Sequence, residues 1–151
     1  MQVVENRSKA IENLLTAQRS ALSVCPKIGG FPYFAEVLRS AGIYRNIWNL
    51  PSCESIYCTK YGPVAIQGSP LVSSAVDIPP FNQEALIKAL RRDQAGESTF
   101  AEFLKAAWEA GVVRYIVDFE KRLVVYYGIS DESYSEKYRN IHEEPNGSSC
   151  I

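Results

Sequence analysis

Arg45, Arg114, Asp118 and Tyr127 are the side chains of this chain best suited to chemistry, because each stands on a segment that reads as a β-strand. An arginine on a strand presents a fixed cation to an anionic or carbonyl oxygen, and a carboxylate or phenol in a partly apolar pocket can move a proton. The catalytic set expected from the sequence is therefore Asp118, Arg114 and Tyr127, with Arg45 as a ligand-holding cation. Arg114 and Asp118 are four residues apart on one strand, roughly 13 Å, so they would hold opposite ends of a ligand rather than pair directly. Large rings crowd the same segments, and Trp48, Tyr57, Tyr115 and Tyr126 are expected as pocket walls. Tyr and Trp combine an apolar body with a polar tip, which suits a ligand cleft or an interface. The plain alternative is that the charges are ordinary sheet-surface groups and the rings are core.

Other chemistries are poorly supplied. The one histidine, His142, lies in a polar stretch, and Cys53 and Cys58 form a loose pair with no second pair to close a zinc site, so no metal is expected. The clustered glycines, Gly29-Gly30, lack the spacing of a phosphate-binding loop, and no cofactor is expected. Nothing local would lower the pKa of Cys25, Cys53 or Cys58, which disfavours a thiolate nucleophile. Sixteen basic and seventeen acidic side chains give a net charge of −1, so there is no electrostatic footprint for nucleic acid. No run approaches the ~20 apolar residues of a membrane span. The segment Met1–Arg7 lacks the basic and apolar regions of a secretory signal, and the four cysteines are few and irregular, which predicts a reduced, cytoplasmic protein.

The elements that must position these residues occur twice. A shift of 69 residues carries Phe31, Phe34, Ala41, Gly42, Arg45, Ile47 and Tyr57 onto Phe100, Phe103, Ala110, Gly111, Arg114, Ile116 and Tyr126. A first amphipathic helix is predicted over residues 5–23 from Ile11, Leu14, Leu15, Ala21 and Leu22. Phe31, Phe34, Ala35, Leu38 and Ala41 form one apolar stripe of a second helix, which Gly42 ends. Ile43–Leu50 and Glu54–Tyr61 read as strands around the turn Pro51-Ser52-Cys53. Residues 62–80 read as a crossing loop with one short extended piece at Val64–Gln67.

The second copy repeats the plan. Asn82 is a predicted N-cap, and Thr99 with Glu102 makes a capping-box pair before the stripe Phe100, Phe103, Leu104, Ala107 and Ala110. Val112–Phe119 and Arg122–Tyr127 form a hairpin around Glu120-Lys121. Ser133–Tyr138 reads as a last strand, and residues 139–151 as a disordered tail. The expected fold is α+β: one domain over residues 1–138, with pseudo-repeats at about 10–67 and 79–137. Each repeat is helix–helix–β-hairpin, with the helices packed on one face of a largely antiparallel sheet. Strand alternation puts Arg114, Ile116 and Asp118 on one face with Leu123, Val125 and Tyr127. It puts Tyr115 and Val117 on the other with Val124 and Tyr126. It likewise sets Tyr44, Asn46 and Trp48 opposite Ile43, Arg45 and Ile47, and leaves neither face fully polar.

The run Ala110–Phe119, with Arg122 and Val125-Tyr126-Tyr127-Gly128, resembles the DUF1398 family of small bacterial and prophage proteins. Gln94-Ala95-Gly96-Glu97-Ser98-Thr99-Phe100 is similar to the start of that family's following helix. Asp93 stands where members tend to carry histidine, and Pro51-Ser52-Cys53-Glu54 replaces a Gly-His-rich turn, so histidine chemistry does not transfer. The resemblance implies an α+β fold and no particular activity.

Two functions follow as expectations. One is a small-molecule-binding protein, extending to a cofactor-independent acid–base enzyme of the isomerase, lyase or cyclase type. The other is a non-catalytic interaction or prophage accessory protein, using the same aromatic face to form a homodimer or to bind a partner.

Overall fold

A computed structural model describes residues 8–143. The element order is α1 (Lys9–Val24), α2 (Phe31–Ser40), β1 (Ile43–Asn49), β2 (Glu54–Thr59), β3 (Gly62–Gln67), α3 (Gln83–Gln94), α4 (Phe100–Glu109), β4 (Arg114–Asp118), β5 (Leu123–Tyr127), β6 (Ser133–Lys137) and a 3-10 turn at Ile141–Glu143. The fold class is α+β, and the six strands form one fully antiparallel sheet in the order β3-β2-β1-β4-β5-β6. Each repeat keeps the expected helix–helix–hairpin order and adds a third strand. The residues read as a loop after β2 contain a full strand, tied by the Thr59 hydroxyl donating to the Gly62 carbonyl at 2.8 Å. Pro63 conceals that strand in the sequence, but an edge strand tolerates a residue that cannot donate to the ladder.

Local chemistry starts and stops the helices. Ser8 Oγ accepts from the Ile11 N–H and Asn82 Oδ1 from the Ala85 N–H, while Thr99 and Glu102 complete a reciprocal capping box. Such caps satisfy backbone donors that have no partner within the helix. Gly42 at φ +91° and Gly111 at φ +89° end α2 and α4, a conformation that crowds any Cβ. Each helix pair buries its stripe on one face of the sheet. Leu14, Leu38, Ile43, Leu86, Ala107 and Phe119 lie in one continuous core.

The two central strands make the seam between the repeats, with Ile47 directly opposite Ile116. Arg45 faces Asp118 across this seam, and Asn49 faces Arg114. These pairs are images of each other under the 69-residue shift. A pseudo-two-fold axis therefore passes between Ile47 and Ile116, perpendicular to the sheet.

Residues 139–143, expected to begin a disordered tail, are placed: His142 Nε2 lies 3.0 Å from Glu36 Oε2 on α2. The contact with Glu36, rather than burial, ties the segment to α2, since His142 itself is exposed. The rest of the expected tail, residues 144–151, and the start of the first predicted helix lie outside the described residues.

Candidate functional site: a hollow on the open sheet face

Period-two alternation sorts the expected site residues onto the two faces of the sheet. Tyr57, Tyr115 and Tyr126 are buried beneath the helices, and Trp48 joins them: its ring stacks on Tyr115 at 6.1 Å and meets Phe100 edge-on at 5.3 Å. Tyr115 continues the row to Tyr126 at 5.6 Å. Burial pushes the phenols of all three tyrosines above their usual range. For Tyr126 the carboxylates of Glu136 and Asp93 add to the effect, and burial likewise raises Asp93 itself. These four rings form one layer of the core and do not share a pocket with the strand charges.

Arg45, Arg114, Asp118 and Tyr127 all stand on the opposite face, which no described helix covers. There a hollow of about 370 Å³ opens over β1, β4 and β5. Its floor is Ile116, Leu123, Val125 and Tyr127, and its polar groups are Arg45, Asp118, Glu120 and Lys121. Asp118 Oδ1 accepts from the Lys121 N–H at 2.9 Å, which fixes the carboxylate at the start of the β4–β5 turn. Four residues make that turn, Phe119 to Arg122, rather than two, and Arg122 takes φ +54°. The strand register is the one expected, because a turn two residues longer preserves the side-chain alternation. Among the described residues no ion pair involves Arg45.

Tyr44 also lines the hollow, which alternation alone places on the covered face. A register irregularity between Ile43 and Arg45 explains it. The extra residue of this bulge sends Ile43 into the core at 0% exposure and leaves Tyr44 outside at 46%. Neither residue type announces a bulge, so the sequence carried no signal for it. Lys121, Glu120, Leu123 and Val125 also line the hollow, and nothing in their spacing marks them in the sequence.

The structure separates Arg114 from the other three. Its guanidinium packs over the Tyr127 ring, 4.4 Å from the centroid, and it does not line the hollow. Arg45 and Arg114 therefore do not converge on one oxygen. The reason is geometric: β1 and β4 are antiparallel, so equivalent repeat positions lie at opposite ends of the seam, on either side of Ile47 and Ile116.

The thiols of Cys25, Cys53 and Cys58 are free, and burial raises the pKa of Cys25 and Cys53. Cys150 lies outside the described residues. No described helix is long and apolar enough to cross a membrane.

The fold and the hollow together define a duplicated α2β3 domain with an open-faced antiparallel sheet. The family described as "Protein of unknown function (DUF1398)" matches residues 27–137, and this chain belongs to it. The match takes in the second repeat and the first from α2 onward, leaving α1 outside it. The uncharacterized protein Rv2012 of Mycobacterium tuberculosis is 47% identical over 147 residues, covering 97% of this chain and 88% of that protein. The uncharacterized protein Mb2035 of Mycobacterium bovis is similar to the same extent.

Proposed function

We propose that the hollow at the β1–β4 seam binds a small amphipathic molecule through Arg45 and Asp118. The observation that carries this reading is a cation and a carboxylate on directly opposed strand positions, beside an apolar floor, in a space of about 370 Å³. Opposed strand residues hold their Cβ atoms roughly 5 Å apart. Arg45 and Asp118 thus suit a ligand head whose anionic and donor groups sit on neighbouring atoms, as in an α-amino or α-hydroxy acid. Carboxylate on Arg45 and ammonium or hydroxyl on Asp118 would lay an apolar side chain on Ile116, Val125 and Tyr127. The volume falls within the roughly 300–1,000 Å³ of small-molecule sites. The acid–base form of this proposal adds a proton exchange at Asp118 or Tyr127, which line the same hollow. A second reading, self-association through the same face, is favoured by the apolar row that crosses it.

The test is an NMR titration of the Ile and Val methyl groups with L-phenylalanine, L-leucine and 3-phenyllactate. Shifts confined to Ile116 and Val125, and lost in Arg45→Ala, are the expected result. Absence of shifts with all three probes, or unchanged affinity in Arg45→Ala, would refute the assignment.

A further inference from the structure

The open face is organised in rows. Strand register aligns Ala65, Ile56, Ile47, Ile116 and Val125 in one unbroken line across five strands. Apart from the exposed Ala65, these side chains are half-buried by one another, and no described element covers them. The row on one side contains Arg45 and Asp118, and the row on the other contains Asn49, Arg114 and Tyr127. A surface apolar at its centre and charged at its margins is how specific interfaces are built.

We propose that this face packs against the same face of a second copy of the chain, and that the second copy closes the hollow. The proposal rests on the binding reading only for what the closure encloses. Charge complementarity names the occupant. A two-fold axis lying in the face along the apolar row lays each strand antiparallel over its own copy. Ile47 and Ile116 then meet their equivalents, and the two flanking rows exchange places. Asp118 comes under the partner's Arg114, and Arg114 over the partner's Asp118. Within its own sheet Arg114 has only Asn49 and Tyr127 opposite it, neither of them an acid. The partner supplies the missing carboxylate, and the partner's Arg114 adds a second cation above the hollow. Face-to-face sheets keep their strands within about 30° of alignment, which this arrangement respects.

The area is adequate. Six strands at about 4.8 Å spacing and three outward rows at about 6.8 Å give a face of roughly 600 Å². Two such faces approach about 1,200 Å², the lower bound of standard specific interfaces. A micromolar dimer is the expected strength.

The experiment measures mass by light scattering on the ligand-free full chain across roughly 5 to 200 µM, the range that brackets micromolar self-association, with no small molecule present. The wild type should shift toward twice its 16.9 kDa mass. Asp118→Arg and Arg114→Asp should each stay at the single-chain mass, because each places like charges over like. Mixed in equal amounts they should recover the dimer, since every contact between positions 114 and 118 then joins an arginine to an aspartate. Recovery also shows that both variants are folded. A wild type that stays at the single-chain mass at the top of that range overturns the proposal. So does a mixture that fails to recover the dimer while both variants retain the wild-type circular dichroism spectrum. The ligand reading stands or falls separately, on the methyl titration with Arg45→Ala.

Discussion

Glu36→Gln tests whether one carboxylate on a helix holds the β4–β5 turn that follows Asp118. Glu36 lies on α2 with 11% of its side chain exposed. It accepts from Arg39 at 3.1 and 3.2 Å and from Arg122 at 3.4 Å, and His142 lies 3.0 Å away. Arg122 closes the β4–β5 turn, so this one group ties α2 to the turn and to the chain's last described residues. Burial alone would raise the Glu36 carboxyl, but the hydrogen bonds and charges of Arg39 and His142 outweigh it and hold the group below its ordinary 4.5. Glutamine keeps the shape and removes the charge.

A charge-assisted hydrogen bond contributes roughly 1.5–3 kcal/mol. Because Arg39 and His142 are 34% and 65% exposed, solvent screens much of that. A net loss of about 2 kcal/mol is expected at pH 7, or about 4–8 °C in Tm for a chain of this length. The sign with pH follows from the lowered pKa. The carboxylate's contribution is complete above 4.5 and is lost as pH falls through the folded-state value. Urea denaturation of wild type and Glu36→Gln at pH 7, 5 and 3 should therefore show a gap that narrows as the pH falls below 4.5. A gap that is constant across that range, or one below about 0.5 kcal/mol at pH 7, would refute the account.

The two repeat-ending glycines should respond unequally. A Cβ at Gly111 would collide with the backbone of Pro80 and Phe81, whereas one at Gly42 meets only the flexible side chain of Lys60. Both positions carry the left-handed penalty of about 1–2 kcal/mol, and Gly111→Ala should cost about 2 kcal/mol more than Gly42→Ala in urea unfolding. Equal costs would show that the loop before α3 yields freely. The buried phenols supply an alkaline limit, because burial, above all, raises Tyr115 and Tyr126 above the ordinary 10. Their contribution to stability is complete below pH 10 and is lost as pH rises beyond it. Ultraviolet absorbance of the phenolates should show Tyr115 and Tyr126 among the tyrosines that ionise only as the circular dichroism signal collapses. Ionisation of all nine tyrosines near their ordinary pKa with the fold intact would contradict this burial.

Much of the fold was legible because its signals are local. Thr99 with Glu102, Asn82, the stripes from Phe31 and Phe100, and the stops at Gly42 and Gly111 act within one or two helical turns, so the sequence alone places them. Alternation along β4 and β5 likewise put Arg114, Asp118 and Tyr127 on one face and Tyr115 and Tyr126 on the other. What it could not supply was β3 as a full strand, since Pro63 and the glycines around it read equally well as a loop. Nor could it supply the bulge that turns Tyr44 outward, because a bulge is settled by how two strands fit and not by either alone.

The sequence by itself determined a duplicated α+β chain, its helix limits and the parity of its strand residues, all of them set by neighbours along the chain. Tertiary structure alone decided what those residues meet. Antiparallel pairing of the two repeats set Arg45 against Asp118 and carried Arg114 to the far end of the seam. The 69-residue echo aligns Arg45 with Arg114, but a two-fold axis turns equivalent positions away from each other unless they lie close to it. Ile47 and Ile116 lie beside that axis, and they put an apolar centre between the two arginines.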